Sequence, residues 1–401
     1  MSVGTRIKRK VYHDSVRLMR VSEEIAKLPG VRRAVAIMAT EANKRFLADG
    51  GLLDDAAEGA GAEDLLIAVE GTDRAAVEAA LDRAEALLGE AARSSAAPSL
   101  APRARTIDGA VALLGGAEIA LISVPGEFAA LAAAQALDAG LHVLLFSDHV
   151  AVEEERDLKE TARRRGLLVM GPGAGTAIIN GVALAFANVV RRGPVGVVAG
   201  SGTGLQELTV LLHRAGSGVS HAIGTGGRDL TVEVGGLTTR SGLELLAADP
   251  STRAIVLLSK PPQRAVADAV LGLARDCGKP VVVCFLGGEA PTVRGANLAF
   301  ARTIEEAAVL ALEALGEEGA ARSLAASAAM LEGLAAAARD RLGPGQRFVR
   351  GLYSGGSLCD EALLVLRAGG LGPVLSNAGD DPSLRLPDPW RSQGHTVVDL
   401  G

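Results

Sequence analysis

The chain has 401 residues, enough for roughly two to four domains whose cores need no disulfide support. Its net charge of −6 and its aromatic content of 2% disfavour broad nucleic-acid binding, base stacking and attachment to an acidic membrane surface. No apolar run reaches the ~18 residues of a membrane span, and the basic N-terminus lacks the apolar segment of a secretory signal.

The cysteines and histidines of the chain do not form a metal-binding or redox motif. Cys277, Cys284 and Cys359 form no CxxC pair, and no two of the six histidines have the spacing of metal ligands. The sequence therefore predicts no disulfide framework and no metal site, and it favours a reducing cytoplasm. Cys359 follows a glycine loop, where a helix dipole would lower its pKa, although a buried inert thiol is the simpler interpretation.

Strand and helix patterns alternate through residues 8–93 and predict a small α+β domain of the ferredoxin-like type. A strand-like piece opens residues 9–20, and Ser22 is placed as the N-cap of the helix that follows. Two apolar strands are predicted at Ala34–Met38 and Asp64–Val69.

Three further segments follow a Ser/Ala/Pro-rich linker at 94–105. Residues 106–190 read as a Rossmann-like, CoA-binding-type βαβ domain, and residues 191–316 as a flavodoxin-like domain, both doubly wound with parallel sheets. Residues 317–401 read as a third α/β segment. Its last residues resemble a strand that has just begun, which predicts a piece of a longer protein.

The first glycine loop directly follows a buried strand and directly opens a helix. Glycines allow several N–H groups to converge on one anion, and the helix dipole adds positive potential. The loop has no lysine of the Walker type, so it is not the usual nucleotide loop. The alternative is a tight capped turn. The residues predicted to bind phosphate are Gly200, Ser201, Gly202, Thr203 and Gly204.

The second glycine loop, Gly224–Asp229, follows the next strand. Gly226, Gly227 and Arg228 at the carboxyl edge of a sheet suit an oxyanion, whereas an Arg228–Asp229 surface pair is the alternative.

The third glycine loop again opens a helix, and it comprises Ser354, Gly355, Gly356 and Ser357. An ordinary capped helix is the alternative. The prediction of a phosphate site is stronger if the first and third loops face one another, because two helix N-termini bind a dianion more tightly than a single helix N-terminus does.

The order of segments from 117 to 179 resembles the CoA-binding domain of the succinyl-CoA ligase α subunit, carried by SVPGEFAALAAAQALDAG and RRRGLLVMGPGAG. The stretches GPVGVVAGSGTGLQEL and HAIGTGGRDL resemble the ligase domain of that α subunit. The stretch RGLYSGGSLCDEAL resembles a loop and helix in the β subunit of the same ligase. The resemblance implies that Glu207 matches a glutamate that supports a phosphohistidine. It implies a CoA site at Ser123, Val124, Pro125, Gly171 and Pro172.

Two features depart from the ligase pattern. The ligase carries its phosphohistidine in a Gly-His-Ala-Gly-Ala segment, where this chain reads EAPTVRGANLAFA without a histidine. The ligase's N-terminal glycine loop for CoA has no counterpart before AEIALISV.

The whole chain is more similar to the FdrA family of acyl-CoA-synthetase-like proteins, through YHDSVRLMRVSEEIAKLPGV, ATEANK, IGTGGRDL and GLYSGGSLCDEAL. This resemblance implies a cytoplasmic subunit that acts with two partner subunits in allantoin catabolism, without nucleic acid or membrane. The assembly would be an oxamate carbamoyltransferase, converting oxalurate and phosphate into oxamate and carbamoyl phosphate.

The sequence hypothesis assigns phosphate to the first and third loops, charge neutralisation to Arg228, and orientation of these donors to Glu207 and Asp229. Two alternatives stay open: an ADP-forming acyl-CoA ligase, which would use CoA and ATP or ADP, and a non-catalytic scaffold or sensing subunit.

Overall fold

The structure is a computed structural model of the chain. The chain forms two compact units, residues 1–103 and residues 104–401. The structure describes residues 2–11, 13, 15–54, 57, 59–95, 104–288, 292–379 and 381–401.

The first unit is a small α+β domain built on an antiparallel sheet of order β1-β3-β2. One face of the sheet packs on α1 and α3 through residues such as Ile25, Ile67 and Leu81, and the opposite face covers Leu47 and Leu66. The predicted ferredoxin-like class is confirmed. The elements are β1 (Ser2–Lys8), α1 (Ser15–Ala26), β2 (Val31–Met38), α2 (Glu41–Asp49), β3 (Leu65–Gly71) and α3 (Arg74–Ser95).

The sequence interpretation of the first turn of this unit was wrong in two respects. The opening strand is β1, before the predicted piece at 9–20, and Ser22 lies inside α1 rather than at its N-cap. The Ser22 hydroxyl donates to the Leu18 carbonyl at 2.8 Å and accepts from the Ala36 amide at 2.8 Å. A serine hydrogen-bonded in this way fits a helix interior. Of the predicted linker, residues 94 and 95 belong to α3, and 96–103 lie outside the described residues.

The second unit begins with a parallel three-stranded sheet of order β4-β5-β6. Its core includes Ala133, Val143 and Val169. The helix α6 has acidic residues in its first turn and arginines in its last, as its dipole favours. The elements are α4 (Ile107–Leu114), β4 (Ile119–Ile122), α5 (Gly126–Asp138), β5 (His142–Leu145), α6 (Val152–Arg164) and β6 (Val169–Met170).

The largest sheet has the order β13-β12-β11-β9-β10-β7-β8. The strands from β13 to β10 are parallel, and the hairpin β7–β8 adds an antiparallel edge beside β10. The chain moves from β9 to β10 on one side and then to β11 on the other, so β9 is the switch point of the sheet. The strands are β7 (Thr176–Ile179), β8 (Val182–Ala185), β9 (Arg192–Ala199), β10 (Val219–Gly224), β11 (Ala254–Ser259), β12 (Val281–Phe285) and β13 (Leu298–Phe300).

Helices cover both faces of this sheet. Leu208 of α7 and Leu312 of α10 pack on one face, and Leu243 of α8 and Val270 of α9 pack on the other. These two cores confirm the predicted doubly wound α/β class. The helices are α7 (Gly202–Arg214), α8 (Leu237–Ala248), α9 (Arg264–Asp276), α10 (Ile304–Ala314) and α11 (Glu318–Arg339).

The C-terminal segment forms a third parallel sheet of order β14-β16-β15, with α12 packed on it through Cys359 and Leu363. Its elements are β14 (Arg350–Tyr353), α12 (Gly356–Ala368), β15 (Val374–Ser376) and β16 (His395–Asp399). None of the helices in the described ranges combines the length and the apolar character that crossing a bilayer requires.

Candidate functional site

The first glycine loop is built as the N-terminus of α7, at the carboxyl end of the switch-point strand β9. Ser201 is the N-cap, and its hydroxyl oxygen accepts from the Gly204 amide at 3.0 Å. The amides of Gly202 and Thr203 have no acceptor among the described residues, as expected in the first turn of a helix. Gly202 is exposed and borders open space, so these donors face outward.

The third glycine loop is the N-terminus of α12. Gly355 is its N-cap, and its amide donates to Asp399 Oδ1 at 2.9 Å, so one donor of this loop is already used. Within the described part of the chain, the amides of Gly356 and Ser357 have no acceptor. This loop therefore also presents free donors.

The two helix ends face one another. Ser201 Oγ donates to Ser357 Oγ at 2.6 Å, although 156 residues separate the two serines. Gly355 has φ +147°, and a Cβ there would lie 2.4 Å from Thr203 Cγ2. Glycine is therefore required at 355 by both its backbone conformation and this close approach. The four free amides of Gly202, Thr203, Gly356 and Ser357 form what is called the two-helix cradle below.

A lysine that the sequence reasoning missed lies beside the two-helix cradle. Lys260 directly follows β11, and its Nζ lies 3.8 Å from the position of a Cβ on Gly356. The same Nζ pairs with Asp360 Oδ2 at 2.7 Å, and 60% of the lysine side chain is exposed. Because the lysine side chain is mostly exposed, its ammonium group can turn toward an anion at little cost.

Two glutamates lie one turn behind the cradle. Glu207 is four residues after Thr203, and Glu361 is four residues after Ser357, so each lies on the same face of its helix as a cradle residue. The Ile304 amide donates to Glu361 Oε1 at 2.6 Å. Burial raises the pKa of Glu361, and the Glu207 carboxylate raises it further. Glu361 therefore keeps its proton to a higher pH than an ordinary glutamate.

The second glycine loop is closed by a buried ionic network. Lys159 Nζ contacts Asp229 Oδ1 at 2.8 Å, Glu155 Oε1 at 2.7 Å and the Thr225 carbonyl at 2.9 Å. Asp229 is fully buried, and its second oxygen accepts from the amide and the hydroxyl of Thr239 at the start of α8. Each oxygen of Asp229 is thus committed to holding the loop on α6 and α8.

Arg228 is also engaged away from the two-helix cradle. Its Nη2 donates to the Val150 carbonyl at 2.7 Å and lies 2.9 Å from Glu155 Oε2. Glu207, to which the sequence hypothesis assigns the orientation of the donors, lies close enough to Glu361 to raise the pKa of that residue. The structure therefore joins the first and third loops but gives Arg228 and Asp229 contacts of their own.

The backbone of the second loop still borders the first. A Cβ on Gly200 would lie 3.6 Å from the Gly226 carbonyl, and a Cβ on Gly226 would lie 2.5 Å from the Pro172 carbonyl. The Gly171–Pro172 peptide is cis, and a Cβ on Gly171 would lie 2.2 Å from the Leu145 carbonyl. The turns that follow β6, β9 and β10 therefore lie against one another, and the turn after β6 also contacts the end of β5.

The residues predicted for CoA follow β4. Ser123, Val124 and Pro125 are exposed, and the Val124 amide donates to Ser147 Oγ at 3.0 Å. Pro125 is the N-cap of α5, without a side-chain capping bond. Ligands of open α/β sheets bind at this carboxyl edge, so the position fits a cofactor site without identifying the cofactor.

Cys284 and Cys359 have the character of buried packing groups, whereas Cys277 is half-buried. Burial raises the pKa of Cys359, and burial together with Glu361 and Glu306 raises the pKa of Cys284 to about 12. The helix dipole therefore does not activate Cys359. Cys359 Sγ lies 3.8 Å from Ser376 Oγ.

One sequence signal could have found Glu361. It stands six residues after its N-cap, Gly355, as Glu207 stands six residues after Ser201. Lys260 and Asp399 carry no comparable local signal, because only the fold brings them to the loop.

Comparison with known proteins gives similarity over the whole chain and over parts of it. The chain is 47% identical to the uncharacterized protein YahF of Escherichia coli (strain K12) over 402 aligned positions, covering all of this chain and 76% of YahF. It is 31% identical to the succinate–CoA ligase [ADP-forming] subunit alpha of Aquifex aeolicus (strain VF5) over 182 residues, 44% of this chain and 58% of that subunit.

A solved structure of ATP citrate lyase from Methanothrix soehngenii, in complex with citrate and coenzyme A, aligns with 54% of this chain and 37% of its own, at 19% identity and a TM-score of 0.41. Residues 1–102 match the family described as AllF, heavy metal-associated domain. These residues contain no cysteine and a single histidine, His13, so they carry no thiolate ligand for a heavy metal.

Proposed function

The chain belongs to the FdrA family of acyl-CoA-synthetase-like proteins, which is related to the α subunits of succinate–CoA ligases. On that premise we propose that it is the phosphate-binding subunit of a hetero-oligomeric enzyme that transfers a carbamoyl or acyl group to phosphate. The finer assignment is to oxamate carbamoyltransferase: oxalurate and phosphate give oxamate and carbamoyl phosphate.

The observation that carries this proposal is the facing pair of helix N-termini. Ser201 and Ser357 are hydrogen-bonded at 2.6 Å, and free amides flank them on both helices. Ser357 Oγ accepts that bond, so its own proton is available to a ligand. Helix N-termini favour anions through both free N–H groups and the dipole, and two of them aimed at one point suit a dianion such as phosphate.

The chemistry is a substitution at the carbamoyl carbon. A phosphate oxygen attacks this carbon, a tetrahedral oxyanion forms, and the C–N bond to the oxamate nitrogen then breaks. The cradle amides hold phosphate and orient its attacking oxygen. Lys260 turns from Asp360 toward the growing negative charge, as an oxyanion stabiliser would. The departing nitrogen needs one proton.

Glu361 is the source of that proton in our proposal. Its raised pKa keeps the carboxyl protonated to a higher pH, and Glu207 beside it receives or returns the proton between turnovers. In this scheme Arg228 and Asp229 fix the second loop through Glu155 and Lys159, and do not contact the reacting atoms.

Direct transfer also fits the residues of the loop between β12 and β13. The stretch EAPTVRGANLAFA contains no histidine, so a phosphohistidine relay has no carrier at the position where the ligase resemblance would place one. A phosphate site without such a relay suits an acyl or carbamoyl acceptor rather than a phosphoryl carrier.

A second candidate is a subunit of an ADP-forming acyl-CoA ligase. It is favoured by the 31% identity to the Aquifex aeolicus α subunit over 182 residues. In that case Ser123, Val124, Pro125, Gly171 and Pro172 would border CoA, and a partner subunit would bind ATP or ADP.

The test is to co-express the chain with the partner subunits encoded beside it and to follow carbamoyl phosphate formation from oxalurate and phosphate. Gly202→Val adds bulk in the open space of the cradle without meeting a protein atom. We expect it to lower turnover at least about 100-fold, the cost typical of losing oxyanion-type donors. Gly319→Val is the matched control, because Gly319 also opens a helix and borders open space.

Equal turnover in wild type and Gly202→Val would exclude the two-helix cradle as the phosphate site. If wild type instead cleaves ATP only in the presence of CoA, the ligase candidate replaces the transferase. If the intact assembly binds phosphate without any turnover, the chain is a scaffold or sensing subunit.

A further inference from the structure

A cavity lies in the second unit where β4, β5 and β10 begin, at the edge of the sheets opposite the two-helix cradle. It has a volume of about 260 Å³. Strands of both the three-stranded and the seven-stranded sheet line it, so a molecule inside would touch both sheets. Its apolar lining is Ile119, Leu168, Met170, Ile179, Ile223, Leu245 and Leu246, and its polar side chains are His142, His221 and Asp249.

His142 provides a hydrogen-bond donor to this cavity. Its Nδ1 accepts from the Leu168 amide at 3.0 Å, which fixes the neutral tautomer with the proton on Nε2. In the described ranges of the chain, no acceptor lies within hydrogen-bond distance of that Nε2. The imidazole therefore lines an apolar cavity with an N–H group that a ligand could use.

The other two polar groups are satisfied by the protein. His221 Nδ1 accepts from the Asn180 amide at 3.1 Å, and its Nε2 lies 3.5 Å from Asp249 Oδ2. Asp249 Oδ2 also accepts from the hydroxyls of Ser251 and Thr252, at 2.6 and 2.5 Å. His221 and Asp249 therefore have little capacity left for a ligand.

Charges of both signs surround the cavity. Burial raises the pKa of Asp249, but the hydrogen bonds from Ser251 and Thr252 and the nearby His221 outweigh it and lower the pKa to about 2. Burial lowers the pKa of His221, with Arg192 adding to this and Asp249 opposing it. Near neutral pH the pair is thus a carboxylate beside a neutral imidazole, and the Lys279 ammonium donates to the carbonyls of Leu246 and Asp249 at 2.7 and 2.6 Å.

We propose that this cavity is a binding site for a small, neutral molecule with an apolar body and one carbonyl-type acceptor. The acceptor bonds to His142 Nε2–H, and the body packs on the isoleucines and leucines. A water molecule fits less well, since a buried water typically needs two to four polar partners and these side chains offer one free donor. The site is independent of the two-helix cradle, which lies at the carboxyl end of β9.

The test uses isovaleramide as the probe, a neutral amide with a branched apolar body, and isovalerate as its anionic counterpart. Binding is followed in the full chain by the ¹H–¹⁵N signals of the histidine rings, with the His142 signal assigned from its absence in His142→Phe. We expect isovaleramide to shift the His142 signal with a dissociation constant at or below about 1 mM, within reach of a ligand of this size. Isovalerate should bind at least about tenfold more weakly near neutral pH, because burying its carboxylate in this apolar lining costs more than burying a neutral amide.

A second variant protects the test against misfolding of His142→Phe. Leu245 lies at the rim and is 48% exposed, so Leu245→Trp can block the cavity without disturbing the buried core. Leu114→Trp is the matched control, since Leu114 is 73% exposed and does not line the cavity. We expect Leu245→Trp to weaken isovaleramide binding at least about tenfold and Leu114→Trp to leave it unchanged. No shift of the His142 signal in wild type at tens of millimolar isovaleramide, or equal binding by Leu245→Trp, would overturn the proposal.

Discussion

The glycine loops after β9 and β10 lie side by side at one edge of the large sheet, yet their polar groups are used in opposite ways. Among the described residues, the amides of Gly202 and Thr203 in the first loop have no acceptor, and Ser201 forms the capping bond and the contact to Ser357. In the second loop Lys159 and Asp229 are buried and bonded to one another, and Arg228 is bonded to Glu155 and Val150.

This difference teaches that glycine content does not identify an anion site. The second loop has three glycines and a cation, as an oxyanion site would, but its charges already neutralise each other. The first loop has fewer charges and more unused donors. What distinguishes a binding loop is the number of donors left over after folding, and three substitutions can break or sharpen this contrast.

The largest effect should come from Lys159→Met. The substitution keeps the side-chain volume but leaves Asp229 and Glu155 buried without their shared cation. Breaking a buried ionic network in this way costs about 3–5 kcal/mol, and we expect that loss in the free energy of unfolding, measured by urea titration. Lys260→Met removes a mostly exposed lysine from its pair with Asp360 and should cost below about 1 kcal/mol. Equal losses in the two variants would mean that the second loop is not held by its network.

Glu361→Gln should have a smaller effect that depends on pH. The pKa of Glu361 is raised in the folded state, so its contribution to stability is fully present below the ordinary glutamate pKa and is lost as pH rises through the raised value. The glutamine keeps an acceptor for the Ile304 amide but cannot ionise. As pH rises above the ordinary glutamate pKa of about 4.3, the wild type should therefore lose more stability than the variant. Parallel pH profiles from urea unfolding would show that Glu361 is not perturbed, and a fall in turnover with intact phosphate binding would support its role as proton donor.

Arg228→Ala should have the smallest effect. Its guanidinium is 43% exposed at its contact with Glu155, so the stability cost should be about 1 kcal/mol or less. Turnover should change by less than about threefold, whereas a donor to the carbamoyl oxyanion would cost about 100-fold or more. A loss of that larger size, with unfolding unchanged, would return Arg228 to the reaction and remove the contrast between the loops.

Sequence reasoning located what is local and missed what is assembled by the fold. The glycine loops at 200–204 and 354–357 each stand between a strand and a helix, so their place at helix N-termini was predictable. Their meeting was only a condition of the hypothesis, because Ser201 and Ser357 become neighbours through the packing of α7 on α12.

The charged helix α6 shows why the contacts of the second loop could not be predicted from the sequence. Its sequence VEEERDLKETARR is rich in charged residues, yet Glu155 and Lys159 are almost completely buried. A buried pair and an exposed pair have the same spacing in sequence, and only the position of Asp229 on a distant segment decides between them. The sequence hypothesis gave charge neutralisation to Arg228 and the orientation of donors to Asp229, and in the structure both side chains bond to other protein groups.

The hairpin β7–β8 has a consequence for how the chain can be divided and made. It precedes the predicted boundary at 190/191, yet it completes the seven-stranded sheet beside β10, where Ile178 pairs with Ala222. A fragment beginning at residue 191 would leave the β10 backbone as an open edge, which invites association with other chains. During synthesis the hairpin leaves the ribosome before its partner strand. The first half of the second unit must therefore wait for residues 219–224 before the sheet can close, and expression fragments should begin before Thr176 rather than after it.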